Sequence, residues 1–293
     1  WLKPFRLKFH SLSDNRKQRK MSVKTAVAWQ ASAHLASGAH PAATFPNEHL
    51  LPPAAAPAAK WAAPHSDSRL LGLQQAVKEE DWARNYEEGL TTMGMRAEWS
   101  AGDERCALLT TLAVSVEARR VLEIGSFCGV AALALAQALP EGAQVHALEI
   151  DPFVVEFGQR FRAKSSSGHK IATHVGPASA TLQRMACEAR TGLLEPFDMA
   201  VVDADKAGMR GYFEHLWQTP GLLSEGAVVC VDLTPFKGQP PLRYVKYGFP
   251  YPWEASSGQE EIDAFRANVA ASPQFASREV GGLLVVQRAS KAQ

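Results

Sequence analysis

"RVLEIGSFCGVAALALAQAL", residues 120–139, is the stretch from which the fold is read. Its first five residues, Arg120 to Ile124, are rich in branched apolar side chains and read as a buried strand. Gly125 and Gly129 then bracket a short loop, and the Ala/Leu run that follows predicts a helix over 129–139. A strand that feeds a helix through a glycine-bracketed turn is the opening of a crossover unit, which joins parallel strands.

Working outward, the same alternation recurs. Strands are predicted at 144–149, 170–175, 197–203 and 226–232, with helices at 153–163, 177–190 and 208–217 between them. Upstream, "DSRLLGLQQAVKEEDWARNYEEGL" (67–90) carries apolar residues at three- and four-residue spacing and reads as one helix capped by Asp67, with a further helix over 103–117. Downstream, a helix over 259–271 precedes "FASREVGGLLVVQR" (275–288), two strands joined at Gly281-Gly282 as a hairpin. The expected fold class is therefore α/β: a doubly wound, mostly parallel, seven-stranded Rossmann-like sheet ending in an antiparallel hairpin.

Composition fits one such domain over 67–293. With 46% hydrophobic residues in 293, the chain can bury a large core. The formal net charge of +1 gives no electrostatic footprint for nucleic acid or an acidic membrane surface. No apolar run approaches the roughly 18 to 20 residues of a membrane span. Cys106, Cys128, Cys187 and Cys230 have no CxxC or zinc-type spacing. They read as reduced thiols of an intracellular, cytoplasmic protein. Residues 1–66 differ from the rest: a basic opening, an Ala/Pro tract and Trp1 at the first position predict a disordered or linker segment, the tail of an upstream domain. Their acid-poor, Ser-containing character also fits a transit peptide, which leaves a plastid open.

In an open parallel sheet, ligands bind beyond the carboxyl ends of the strands. Glu123, Glu149, Asp203 and Asp232 all stand at that rim. Each could simply cap the next helix; four at one rim imply a polar or cationic ligand. The loop carries Gly125 and Gly129 but no third glycine, so the pyrophosphate fingerprint of a dinucleotide site is incomplete. With Glu149 about 20 residues past Gly129, able to accept from two ribose hydroxyls, and Glu123 able to face an ammonium, the pattern suits S-adenosylmethionine. Lys206 among apolar residues could act as a general base, or form an ordinary surface pair. Asp203 and Asp232, from separate strand ends, could share a hard cation. "YVKYGFPYPW" (244–253) reads equally as a substrate-covering loop or a dimer contact, while Trp61 and Trp82 read as packing residues and His146 and His215 carry no assigned role.

"VLEIGSFCG", "ALEID", "VVDADK" and "VVCVD" resemble the cation-dependent, S-adenosylmethionine-dependent O-methyltransferases of the catechol and caffeoyl-CoA type, across roughly residues 95–290. "EEDWARNYEEG", "FVVEFGQRFRAKSSSGHKI" and "GPASATL" are most similar to the O-methyltransferases of mycosporine-like amino acid biosynthesis, which convert demethyl-4-deoxygadusol to 4-deoxygadusol. The resemblance implies a small hydroxyl or enol substrate, magnesium or a similar divalent cation, a homodimer, and fusion behind a sugar-phosphate cyclase. It makes Asp203 and Asp232 metal ligands, Lys206 the catalytic base with Asp203 beside it, and Glu149 the ribose partner. Glu123, Gly125, Phe127, Gly129 and Asp203 then belong to the cofactor pocket. Three positions depart from the family pattern. Leu233 stands where a third ligand, Asn, is usual; Gly129-Val130-Ala131 replaces Gly-Tyr-Ser; and the usual Gly-Gln pair is replaced within "DERCA" (103–107). The chain is then weakly metal-bound, metal-free and reliant on Lys206, or a degenerate copy.

Overall fold

The computed structural model describes residues 68–235 and 258–289. Helices α1 (Ser68–Glu79), α2 (Trp82–Glu87) and α3 (Asp103–Ser115) precede β1 (Arg120–Ile124) and α4 (Val130–Ala138). Then come β2 (Gln144–Glu149), α5 (Pro152–Arg162), β3 (Ile171–Val175), α6 (Ala178–Arg190), β4 (Phe197–Val202) and α7 (Lys206–Gln218). The described chain closes with β5 (Leu223–Asp232), α8 (Gln259–Ala271), β6 (Phe275–Val280) and β7 (Leu283–Arg288). The strands form one seven-stranded sheet in the order β3-β2-β1-β4-β5-β7-β6. β1 through β5 pair in parallel, and β7 runs antiparallel to both β5 and β6. The order reverses between β1 and β4, and that is where a crevice must open beyond the strand ends.

Both faces of the central strands are apolar, as a sheet covered on two sides requires. Val121, Met199, Val201, Val228 and Cys230 face α3 and α4, packing with Leu109, Leu112 and Leu135. Their neighbours in sequence, Leu122, Ala200, Val202, Val229 and Val231, face the opposite layer of Leu182, Met209 and Ile262 from α6, α7 and α8. The two-residue period of a strand sorts the side chains this way. Helix α4 is buried from Val130 to Ala136, so its sequence shows no polar stripe. A third cluster, Trp82 with Phe127, Phe157 and Leu73, seats α1, α2 and α5 against the β1–α4 loop. Trp82 is indeed a packing residue.

Two elements differ from expectation. The single helix predicted over 67–90 is broken at Asp81, whose carboxylate accepts from the Arg84 backbone N–H and caps α2 afresh. Strand β5 begins at Leu223 rather than 226, with a register shift between its Leu223 and Val228 partners that no periodicity announces. The hairpin at Gly281-Gly282 is present as expected, with β6 rather than β7 at the sheet edge. Trp61, Asp67 as a cap, and the 244–253 stretch lie outside the described residues. Among the described residues no helix is long and apolar enough to cross a membrane.

Candidate active site

At the reversal of strand order the chain turns away from β1 at Gly125 and from β4 at Asp203. The two backbones nearly touch: a Cβ on Gly125 would lie 2.1 Å from the Asp203 carbonyl oxygen, and Gly125 has φ +88°. Glycine is required there on both counts. A cleft of about 740 Å³ opens at this point. Gly125, Phe127, Glu149, Asp203, Lys206 and Asp232 all line it. Glu123 and Gly129 do not. Gly129 instead caps α4 in a left-handed conformation, φ +79°, and its N–H closes the turn onto the Ser126 carbonyl at 2.8 Å.

Glu149 ends β2 and is locked in place. Its Oε2 accepts from the Phe127 N–H at 2.7 Å, and its Oε1 accepts from the Ile150 and Asp151 N–H groups at 2.8 and 3.0 Å. Burial pushes its carboxyl above the ordinary range, and those three backbone donors pull the other way. Phe127 holds a left-handed backbone, φ 49°, which is uncommon for a bulky residue. The Glu149 bond and ring contacts with Trp82 and Trp99, at 5.1 and 6.3 Å between centroids, fix it there. Glu123, only 3% exposed, lies behind this wall. Burial first, then the Asp203 and Glu149 charges, hold its carboxyl well above the ordinary value, with Arg162 opposing. Its Oε2 has no hydrogen-bond partner among the described residues.

Past β4, the acids and lysine of "VVDADK" take separate tasks. Asp205 caps α7, accepting from the Gly208 N–H at 2.7 Å and the Tyr212 hydroxyl at 2.8 Å. Asp203 is exposed to the cleft yet walled by protein on its other sides. That depth raises its carboxyl above the usual carboxylate range, as does the Asp232 carboxylate, against Lys206 and Arg105. Lys206, 7% exposed at the first turn of α7, donates from Nζ to both the Asp232 carbonyl and Oδ2, each at 2.9 Å.

Reading the strand ends missed Arg105, which reaches the cleft from the first turn of α3. Its Nη2 donates to Asp232 Oδ1 at 2.8 Å. The signal was present in the departure of "DERCA" from the family's Gly-Gln, yet it pointed to an altered wall rather than a charge. Asp232 Oδ1 also accepts from the Thr234 hydroxyl, and Oδ2 from the Thr234 N–H. Each oxygen of Asp232 therefore already meets a cation and a further donor. Leu233 turns into the apolar cluster of Met209 and Ile262. Among the described residues no group of three or more His, Cys, Asp or Glu side chains is arranged to hold a metal ion. The expected ligand pair thus does not fit a divalent cation as it stands. One acid is committed to Arg105 and Lys206, and the third position offers no oxygen.

Residues 82–240 match the protein-family model described as O-methyltransferase. Among curated proteins, the chain is 35% identical over 136 residues to catechol O-methyltransferase domain-containing protein 1 of Mus musculus, covering 46% of this chain and 50% of that one. It is also 35% identical over 130 residues to caffeoyl-CoA O-methyltransferase of Populus kitakamiensis, covering 44% of this chain and 53% of the relative. The chain spans about half the length of the curated relatives it matches. Among solved structures, the O-methyltransferase TomG from Streptomyces achromogenes, involved in tomaymycin synthesis and solved in complex with SAM, superimposes with a TM-score of 0.57 at 24% identity. That match covers 77% of this chain and 91% of TomG, and it shows a shared fold.

Proposed function

From the premise that the chain belongs to the O-methyltransferase family, we propose that it transfers a methyl group from S-adenosylmethionine to a hydroxyl or enol oxygen of a small molecule. The observation that carries this reading is Glu149. It is a carboxylate pinned by three backbone N–H groups at the lip of a cleft placed at the switch point, where an adenosine ribose would find its acceptor. Two further features suit the same cofactor. Glycine at 125 lets the β1 and β4 backbones close against each other at the cleft, where any Cβ would strike the Asp203 carbonyl, and Phe127 and Trp99 give the cleft an apolar wall.

Bound there, S-adenosylmethionine supplies an electrophilic methyl on a cationic sulfur. The chain's own residues have two tasks. Glu149, Gly125 and Phe127 orient the cofactor, and the apolar wall of Phe127 and Trp99 excludes water from the methyl's path. Lys206, fixed by two bonds to Asp232, takes the acceptor's proton, with Asp203 open to the cleft beside it. The methyl that S-adenosylmethionine would supply there would pass to the acceptor oxygen, with the carbon–sulfur electron pair left on sulfur.

For the acceptor we infer demethyl-4-deoxygadusol, giving 4-deoxygadusol. A vinylogous enol ionises far more readily than a catechol, so it suits a site whose Asp232 is engaged by protein cations rather than free for a metal. The catechol and caffeoyl-CoA acceptors are the second reading, favoured by the relatives' names. The same reading sets the enzyme in the cytoplasm, in keeping with four free thiols. Its homodimer and upstream cyclase rest on the resemblance alone. Mass spectrometry of methyl transfer, with both acceptors offered separately, tests the assignment. Turnover of the enol and little of caffeoyl-CoA is expected, and the reverse preference overturns the acceptor. Lys206→Ala should lower kcat by roughly 10² to 10⁴; an unchanged rate would remove Lys206 from the mechanism. An absence of transfer in the unaltered chain would leave a non-catalytic binding module.

A further inference from the structure

We propose that Arg105 is the permanent cation of this active site, occupying the electrostatic role that a divalent metal plays elsewhere in the family, and that methyl transfer here proceeds without a metal. The proposal rests on the O-methyltransferase reading above and specifies how that site meets negative charge. Two departures from the family pattern, far apart in sequence, meet at one carboxylate. The position after Asp232 has lost its oxygen ligand to Leu233, which is 6% exposed and packs in the core. The pair within "DERCA" has acquired Arg105, whose Nη2 lies 2.8 Å from Asp232 Oδ1.

The cluster is balanced as it stands. Asp203 and Asp232 bring two negative charges, and Arg105 and Lys206 two positive ones. A dication entering between the acids would meet a guanidinium already in contact with one of them. Arginine keeps its charge at any pH the enzyme would meet, and it offers several N–H donors in a fixed plane. One of those donors holds Asp232. The buried Nη1 has no acceptor among the described residues, although Arg105 lines the cleft. An oxyanion developing on the acceptor, beside Lys206, meets the guanidinium's charge at the cleft wall. The covalent step is unchanged: oxygen to methyl carbon forms, carbon to sulfur breaks, and the acceptor's proton passes to the Lys206 amine, whose own ammonium proton has first left to solvent. Arg105 and Lys206 share the charge before the new bond consumes it.

The fold supports that placement. Arg105 sits in the first turn of α3, which packs on the sheet face of Cys230 and Val228, so the side chain is delivered to the end of β5. The β6–β7 turn closes from the other side, where the Leu233 N–H donates to the Gly282 carbonyl at 2.9 Å. A Cβ on Gly282 would lie 3.4 Å from Arg105 Nη2.

The experiment is a manganese titration of the full chain followed by electron paramagnetic resonance, beside a calorimetric titration with S-adenosylhomocysteine. Unaltered protein should bind S-adenosylhomocysteine and leave manganese free. The double variant Arg105→Ala/Leu233→Asn should gain manganese affinity by about tenfold or more, since it frees an Asp232 oxygen and restores an oxygen donor. Arg105→Gln should lower kcat roughly 100-fold in excess EDTA while leaving S-adenosylhomocysteine affinity in place. Stoichiometric manganese binding by the unaltered chain, or Arg105→Gln with undiminished kcat and only a lowered Tm, overturns the proposal and leaves the methyltransferase reading intact. Failure to bind S-adenosylhomocysteine overturns the reading beneath it. Should the double variant not fold, the unaltered chain and Arg105→Gln decide the matter alone.

Discussion

Glu123 shows how a single residue beside a site can be costly to the fold. It is enclosed, faces two other acids and has no partner for Oε2 among the described residues. Its carboxyl is held above its ordinary value of 4.5, so the folded state keeps a proton that the unfolded chain has already released. Stability must therefore fall as pH rises from that value. Glu123→Gln is expected to raise Tm at about pH 7 and to leave it nearly unchanged at about pH 4, where both forms are neutral. Because Glu123 lies outside the cleft lining, the same change should leave S-adenosylmethionine affinity in place. Calorimetric scans at both pH values, with a cofactor titration, check both halves, and a clear loss of affinity would bring Glu123 back into the site. Glu149→Gln, which keeps the side chain's shape, is expected to weaken S-adenosylhomocysteine binding about 10- to 100-fold, as for hydrogen bonds to a charged group. The acids were legible because a buried strand that ends in a carboxylate is chemically conspicuous. Arg105 was not, because it enters from a helix whose contact with β5 exists only after the sheet has formed.

Elements depend on such long-range contacts too. Lys170, 8% exposed, donates to the carbonyls of Ala136 at 3.2 Å and Leu139 at 2.9 Å, satisfying the open C-terminal end of α4. Lys170→Met keeps the aliphatic stem and strips the donors. It should cost about 1 to 3 kcal/mol, read as a lower urea midpoint with unchanged slope. A midpoint that does not move would mean water caps those carbonyls equally well. Strands β1 and β2, helix α8 and the Gly281-Gly282 hairpin were legible to the residue, since each is bounded by turn residues or a sharp change of period. The break at Asp81 was hidden because Glu80, Asp81 and Trp82 continue the helical spacing. What ends α1 is tertiary: Trp82 turns inward, its indole N–H donating to the Val77 carbonyl at 2.9 Å, and packs on Phe127.

Across the whole molecule, alternating strands and helices fix the class but not the order of strands in the sheet. The order β3-β2-β1-β4-β5-β7-β6 places β1 beside β4, and this adjacency turns residues far apart in the chain into one cleft: Phe127, Glu149, Asp203, Lys206 and Asp232, with Arg105 from a helix in front of them. The hairpin of β6 and β7 completes the wall beside Asp232, since Asp232 pairs with Leu283 and Leu233 bonds the turn. Methyl transfer by this chain requires that cleft to be an S-adenosylmethionine site. The measurement that tests it most directly is a calorimetric titration of the full chain with S-adenosylhomocysteine, run beside NAD. One S-adenosylhomocysteine per chain and no heat from NAD is the predicted result. Saturable NAD binding with none for S-adenosylhomocysteine would contradict it.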